Sequence, residues 1–153
     1  MIVKTLKGNV EDAEILNIFD SETDEVSKQF KRCCSEEKIR VLLLKGEDNN
    51  TVGFCGFFIS KQEVPPMFHF MFSVEYVFIK PEYRNNKFSY MFRQQIADNV
   101  KVFVAENRGN GEHILISRAD IISVEGVKFM ERINQILKSV SDKNGFEFIN
   151  ATP

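Results

Sequence analysis

The sequence predicts a mixed α/β (α+β) fold, a central mixed sheet flanked by helices, with elements in the order β-α-α-β-β-β-α-β-α-β over one domain, residues 1–153. Three observations lead there. The chain has 153 residues, 43% hydrophobic and 27% charged, which is the size and balance of one soluble globular domain. Hydrophobic periodicity changes from helical to strand-like at Ile39 and alternates between the two after Pro81. Fifteen phenylalanines stand beside three tyrosines and no tryptophan, and nine of them fall between Phe54 and Phe92, where the core should be thickest.

Ile2-Val3-Lys4-Thr5-Leu6 reads as a short strand ended by Gly8. Asn9 then offers a cap for a helix with apolar Ile15, Leu16 and Phe19. A second helix is expected from about Glu22 to Cys34, signalled by Ser21. Its acidic first turn, Glu22 to Glu25, and its basic Lys31 and Arg32 complement the helix dipole at both ends, and the charges read as a solvated face. From Ile39, the runs 39–44 and 52–59, separated by 46–51, form a hairpin signature. After the Val64-Pro65-Pro66 break comes the longest strand candidate, Phe68 to Ile79. Its even positions, Phe68, Phe70, Phe72, Val74, Tyr76 and Phe78, are all apolar or aromatic, and alternation puts His69, Ser73 and Glu75 on the other face.

Lys80-Pro81 ends that strand, and a helix follows with the stripe Phe88, Phe92, Ile96, Val100 and Phe103. A loop at Gly109-Asn110-Gly111, a strand at His113 to Ser117, a helix carrying Val127, Met130, Ile133, Leu137 and Val140 on one side, and a terminal strand Phe146 to Ile149 behind Gly145 complete the order. The even strand face and the helix positions Phe88 and Phe92 are expected to pack together and fix that strand and helix relative to each other.

Composition excludes several function classes. Twenty basic residues stand against 22 acidic ones, a net charge of −2, and no stretch gathers the basic stripe of a nucleic-acid binder, so nucleic acid is not an expected partner. No run approaches the roughly 20 apolar residues of a membrane span, and the N-terminus turns polar too soon for a signal peptide, so no membrane role is expected. Three cysteines, Cys33 and Cys34 adjacent and Cys55 isolated, suit neither a disulfide framework nor a C-x-x-C metal site, and a reducing cytoplasm fits best. They show no histidine partner arrangement, so covalent cysteine catalysis is not expected. No metal site is expected.

Two features could carry chemistry. The strand-loop-helix passage around residues 80–89 ends at a helix N-terminus, whose unpaired N–H groups and positive dipole end favour an anion, with Arg84 and Lys87 adding charge. Most such junctions only reverse the chain. The alternative phosphate motifs G-x-x-x-x-G-K-[ST] and G-x-G-x-x-G are absent, and Gly109-Asn110-Gly111 reads as a turn. The second feature is Glu75, a carboxylate on a strongly hydrophobic strand; His69 is a weaker candidate base near the strand's far end.

The order of elements, the size, and the segment Val77-Phe78-Ile79-Lys80-Pro81-Glu82-Tyr83-Arg84-Asn85-Asn86-Lys87-Phe88-Ser89 together resemble the GNAT superfamily of acyl-CoA-dependent N-acetyltransferases, whose signature is V-x-P-x-x-R-x-x-G-x-G/A. Ile79, Pro81 and Arg84 match it, while Lys87 and Ser89 replace the glycines, which favour close phosphate approach and positive φ. The resemblance implies acetyl-CoA as cosubstrate, in a cleft where the parallel strands 68–79 and 113–117 splay apart. It implies that Phe78 and Ile79 hold the pantetheine arm through their backbone, and that Arg84, Asn85, Asn86, Lys87, Phe88 and Ser89 cradle the pyrophosphate. It places Glu75 as the group that accepts the proton of the acceptor ammonium, since only the neutral amine attacks the thioester.

The family's tyrosine acid would fall at Met130, which cannot donate a proton. Tyr83 and Tyr90, which flank the loop, read as packing residues. The expected function is transfer of an acetyl group to a primary amine of a small molecule or protein by direct attack. The alternative is a catalytically impaired acyl-CoA-binding or interaction module, and a more distant one is an unrelated α/β protein whose Phe-rich strands are only core. Edge strands need protection, which a homodimer would supply.

Overall fold

A computed structural model describes residues 1–6, 9–86, 88–119 and 124–151, without the side chains of 85, 86, 124 and 125. The elements are β1 (Ile2–Leu6), α1 (Ala13–Leu16), α2 (Asp24–Ser35), β2 (Arg40–Lys45), β3 (Thr51–Val64), β4 (Met67–Ile79), α3 (Ser89–Asn107), β5 (Glu112–Ala119), α4 (Val124–Asn144) and β6 (Glu147–Asn150). This is the expected order. A single 3-10 turn lies at Glu47–Asn49 and two turns at Pro81–Asn86. The six strands follow the order β1-β2-β3-β4-β5-β6 in one mixed sheet. β1–β2 and β2–β3 are antiparallel and β5–β6 is parallel, Ile114 to Ser117 facing Glu147 to Asn150.

Local chemistry moves several boundaries. Asn9 does not cap α1: it sits at φ 63, whereas an N-cap residue needs an extended backbone. Asp12 caps instead, its side chain accepting from the Glu14 N–H at 2.9 Å, and α1 is only four residues long. Likewise α2 begins at Asp24 rather than Glu22, because the Thr23 hydroxyl accepts from the Val26 N–H at 3.4 Å. Gly8 lies outside the described residues.

The chain divides into two compact units, residues 1–58 with 74–92, and residues 59–73 with 93–153. In the first, Val41 to Leu44 and Thr51 to Phe57 are all buried, as in strands covered on both faces. Its core gathers Phe19, Phe30, Phe54 and Phe78 with Val26, Cys33, Cys34 and Ile39. In the second, Ile96, Val100 and Val104 of α3 and Ile133, Leu137 and Val140 of α4 are buried, as are Phe70, Phe72 and Leu115. Buried Ser117 donates to Asn134 Oδ1 at 2.6 Å and buried Ser141 to the Leu137 carbonyl at 2.9 Å, so both hydroxyls are satisfied.

The phenylalanines of β4 meet two different sets of rings, and one of them, Phe70, packs on α3 as expected of that strand and helix. Phe78 packs on Phe19 and Phe54 in the first unit, with centroids 5.9 and 6.4 Å away. Phe70 packs on Phe103, His113 and Phe146 in the second, at 6.0, 5.6 and 5.6 Å. Along β4 Phe70, Phe72, Val74 and Phe78 are buried, and so is Ser73 of the odd positions.

Candidate functional site

The strand-loop-helix passage lies in the first unit, from Phe78 through Phe92. β4 is held at its end by β3: the Lys80 N–H donates to the Val52 carbonyl at 2.8 Å. The approach is so close that a Cβ on Gly53 would stand 2.6 Å from the Phe78 carbonyl oxygen and 3.2 Å from the Ile79 Cα. Only glycine at 53 lets the two backbones meet there. Phe78, 9% exposed, seals this end of the strand against Phe19 and Phe54.

The loop is tighter than an open turn. Pro81–Asn86 winds as 3-10 helix, with the Tyr83 N–H donating to the Lys80 carbonyl at 2.9 Å, and proline at its first position needs no N–H there. Arg84 folds back on the strand: its Nε donates to the Ile79 carbonyl at 2.7 Å, and its guanidinium lies 5.7 Å from the Phe78 ring centroid. The two residues expected to bind pantetheine and the first residue expected to bind pyrophosphate are thus brought together. Phe88 sits half-buried, its ring 6.3 Å from that of Tyr83, in keeping with a packing role for that tyrosine, and Ser89 opens α3. Lys87 and the side chains of Asn85 and Asn86 lie outside the described residues.

Glu75 stands four residues before Ile79 on β4, with its side chain 21% exposed. It does not sit alone among aromatic rings. Arg32 of α2 reaches it, Nη1 lying 3.7 Å from Glu75 Oε1 and 3.7 Å from Glu36 Oε1, while Arg32 Nε donates to Gln29 Oε1 at 2.8 Å. Gln29, Arg32 and Glu36 recur three and four residues apart, so they share one face of α2. Just ahead of the α2 cap, Glu22 pairs with Lys80 at 3.9 Å. Part of the α2 charge run therefore faces β4 and the loop rather than water, which corrects the expectation of a wholly solvated face. Sequence spacing shows the α2 stripe; its partner Glu75 is a tertiary contact that no spacing reveals.

Tyr76, next to Glu75, has its phenol held above the usual tyrosine range by burial and by the Glu25 carboxylate, with Arg84 opposing. It stays protonated at neutral pH. Burial pushes the Cys33 thiol up to about 11 and the Cys34 thiol up to about 12, and Cys55, fully buried, is raised as well. Thiols held protonated in this way are poor nucleophiles. His69 is half-buried. In the second unit Met130 of α4, the position at which the resemblance implies a tyrosine, is 3% exposed.

No protein-family model matches the sequence, and no curated protein matches it by sequence. Solved structures do match it in shape. A ribosomal-protein-alanine N-acetyltransferase from Brucella melitensis biovar Abortus 2308 is 14% identical with a TM-score of 0.54, the match covering 87% of this chain and 91% of that one. An acetyltransferase from Vibrio fischeri is 13% identical with a TM-score of 0.52, over 75% of this chain and 94% of that one. The toxin AtaT, bound to the C-terminus of the antitoxin AtaR and to acetyl-CoA, is 11% identical with a TM-score of 0.52, over 86% and 81% of the two chains. The six-stranded sheet, its helices and these likenesses together give the chain the GNAT N-acetyltransferase fold.

Proposed function

We propose that the protein is an N-acyltransferase that moves the acetyl group of acetyl-CoA onto a primary amine. The observation that carries this reading is the Ile79-x-Pro81-x-x-Arg84 segment in an acetyltransferase fold, with Arg84 folded onto the Ile79 carbonyl at the end of β4. A structural relative solved with acetyl-CoA supports the choice of cosubstrate. In this reading the Phe78 and Ile79 backbone holds the pantetheine arm. Arg84, Asn85, Asn86, Lys87, Phe88 and Ser89 surround the pyrophosphate at the start of α3, where the dipole favours negative charge.

Catalysis is then mostly positioning. Glu75 takes a proton from the acceptor ammonium, and the Arg32 guanidinium keeps its carboxylate in place. The neutral amine attacks the thioester carbonyl, the new C–N bond forms and the C–S bond breaks; the nitrogen gives up its second proton to water and the thiolate takes one from water, so amide and free thiol are the products. The acceptor is an amine on a small molecule or a protein; a fold relative named for acting on a ribosomal-protein alanine makes a protein amine admissible.

Calorimetric titration tests the cosubstrate: acetyl-CoA should bind in the micromolar range and ADP far more weakly, and equal affinity for the two would sink the reading. Thiol release over an amine panel tests the chemistry. Glu75→Gln should lower kcat by about a hundredfold with little change in acetyl-CoA affinity, the loss expected of a general base. The second reading, a CoA-binding module without turnover, draws on the buried Met130. It predicts acetyl-CoA binding with no thiol release on any amine.

A further inference from the structure

The second unit carries a groove of about 540 Å³ along the seam of α3 and α4. On α3 its wall is Arg93, Ala97 and Lys101, at i, i+4 and i+8, so the three share one face and the small alanine opens a gap between two long cations. On α4 it is Arg132, Ile136, Val140 and Lys143, at i, i+4, i+8 and i+11, with the neutral polar Gln135 and Ser139 beside them. At 1.5 Å per residue the cations stand about 12 Å apart along α3 and about 16 Å apart along α4. Four basic side chains, and among the described residues no acidic one, line a groove on a chain whose net charge is −2. Burial and, after it, the charge of Arg132 hold the Arg93 guanidinium below the usual arginine range, so a carboxylate arriving there relieves a repulsion already present.

We propose that this groove docks an acidic amphipathic segment of a partner protein, its carboxylates on the two cationic rims and its aliphatic side chains on Ala97, Ile136 and Val140. The floor decides between partners. A bare phosphate compound would use the cations and leave the aliphatic floor idle, whereas a helix in a groove uses both. Single-stranded nucleic acid is bound on stacking aromatic platforms, and no aromatic side chain lines this groove among the described residues. A duplex gains its affinity from roughly six to ten phosphate contacts, more than four cations supply. Spacings of about 12 and 16 Å match two and three turns of an incoming helix.

The test is fluorescence anisotropy on the full chain with a labelled 15-residue helical peptide carrying glutamate on one face and leucine on the other. Saturable binding below about 100 µM is expected, weakening about tenfold between 50 and 300 mM NaCl. Lys101→Glu with Lys143→Glu, both exposed, should weaken binding at least tenfold with an unchanged far-UV CD spectrum. The neutral pair Lys101→Gln with Lys143→Gln, expected to lose about threefold, serves if the reversal does not fold. A peptide with serine for each leucine should bind about tenfold more weakly. Equal binding of the serine peptide, equal binding by both lysine pairs, or tighter binding of a charge-matched oligothymidylate would each overturn the proposal.

Discussion

The aromatic clusters of the two units solve the same packing problem with different chemistry. In the first, Phe19, Phe30 and Phe54 meet mostly edge to face, with centroids 4.7 to 5.0 Å apart, and Tyr76 stacks on Phe54 at 5.7 Å. In the second, His113 lies nearly parallel to Phe146 at 4.6 Å, Phe68 at 4.9 Å and Phe70 at 5.6 Å. Both ring nitrogens of His113 are used. Nε2 accepts from the Gly109 N–H at 3.1 Å, so Nδ1 carries the hydrogen and meets the Gly111 carbonyl at 3.0 Å. A buried imidazole thus closes the α3–β5 turn from inside, with Gly111 at φ 118 allowing the carbonyl to point inward. The first cluster is built mainly on ring packing, the second on ring packing and two hydrogen bonds to one imidazole.

That contrast can be broken by mutation. Phe54→Ala should have the largest effect, about 3–5 kcal/mol in urea denaturation, because a ring with no exposed surface leaves a cavity. Alkaline pH should single out the first unit next. Cys33 is raised in the folded state, so its contribution is present below the unfolded thiol range and is lost as pH climbs toward about 11. The stability difference between wild type and Cys33→Ala should narrow by about 2 kcal/mol between pH 9 and pH 11. A constant difference over that range would remove this distinction between the units.

Gly53→Ala should cost about 1–3 kcal/mol, since the backbone atoms it meets cannot turn aside as a side chain does, and it should weaken acetyl-CoA binding through displacement of Phe78 and Ile79. His113→Phe should cost least, about 1–2 kcal/mol, because the ring volume survives while the two loop partners can turn to water. If His113→Phe instead matches Phe54→Ala, the histidine bonds matter more than the packing and the contrast fails.

The order of elements was legible because it rests on period and punctuation, which local sequence carries. Boundaries shifted where two residues could cap and the backbone chose one, as Thr23 did over Ser21 and Asp12 over Asn9. Ile79, Pro81, Arg84 and Glu75 stood out as motif and as a misplaced charge. Arg32 did not, since its value lies in reaching another element. The division of the phenylalanines escaped for the same reason: Phe70 and Phe78 are equivalent by alternation, and only residues far away in the chain, Phe103 and Phe146 or Phe19 and Phe54, tell them apart.

The bond from Arg84 to the Ile79 carbonyl bears on the thermodynamics of any guest at that strand end. The acceptor already has a donor, so a ligand amide that took its place would exchange one hydrogen bond for another and yield little net enthalpy. A gain at that carbonyl would need its second lone pair, and the rest of the strand end's contribution would come from apolar surface removed from water, with a negative heat-capacity change as its signature. Arg84→Ala, by clearing the carbonyl, should make binding of acetyl-CoA more exothermic while removing one positive charge, and calorimetry at several temperatures and salt concentrations separates the two contributions.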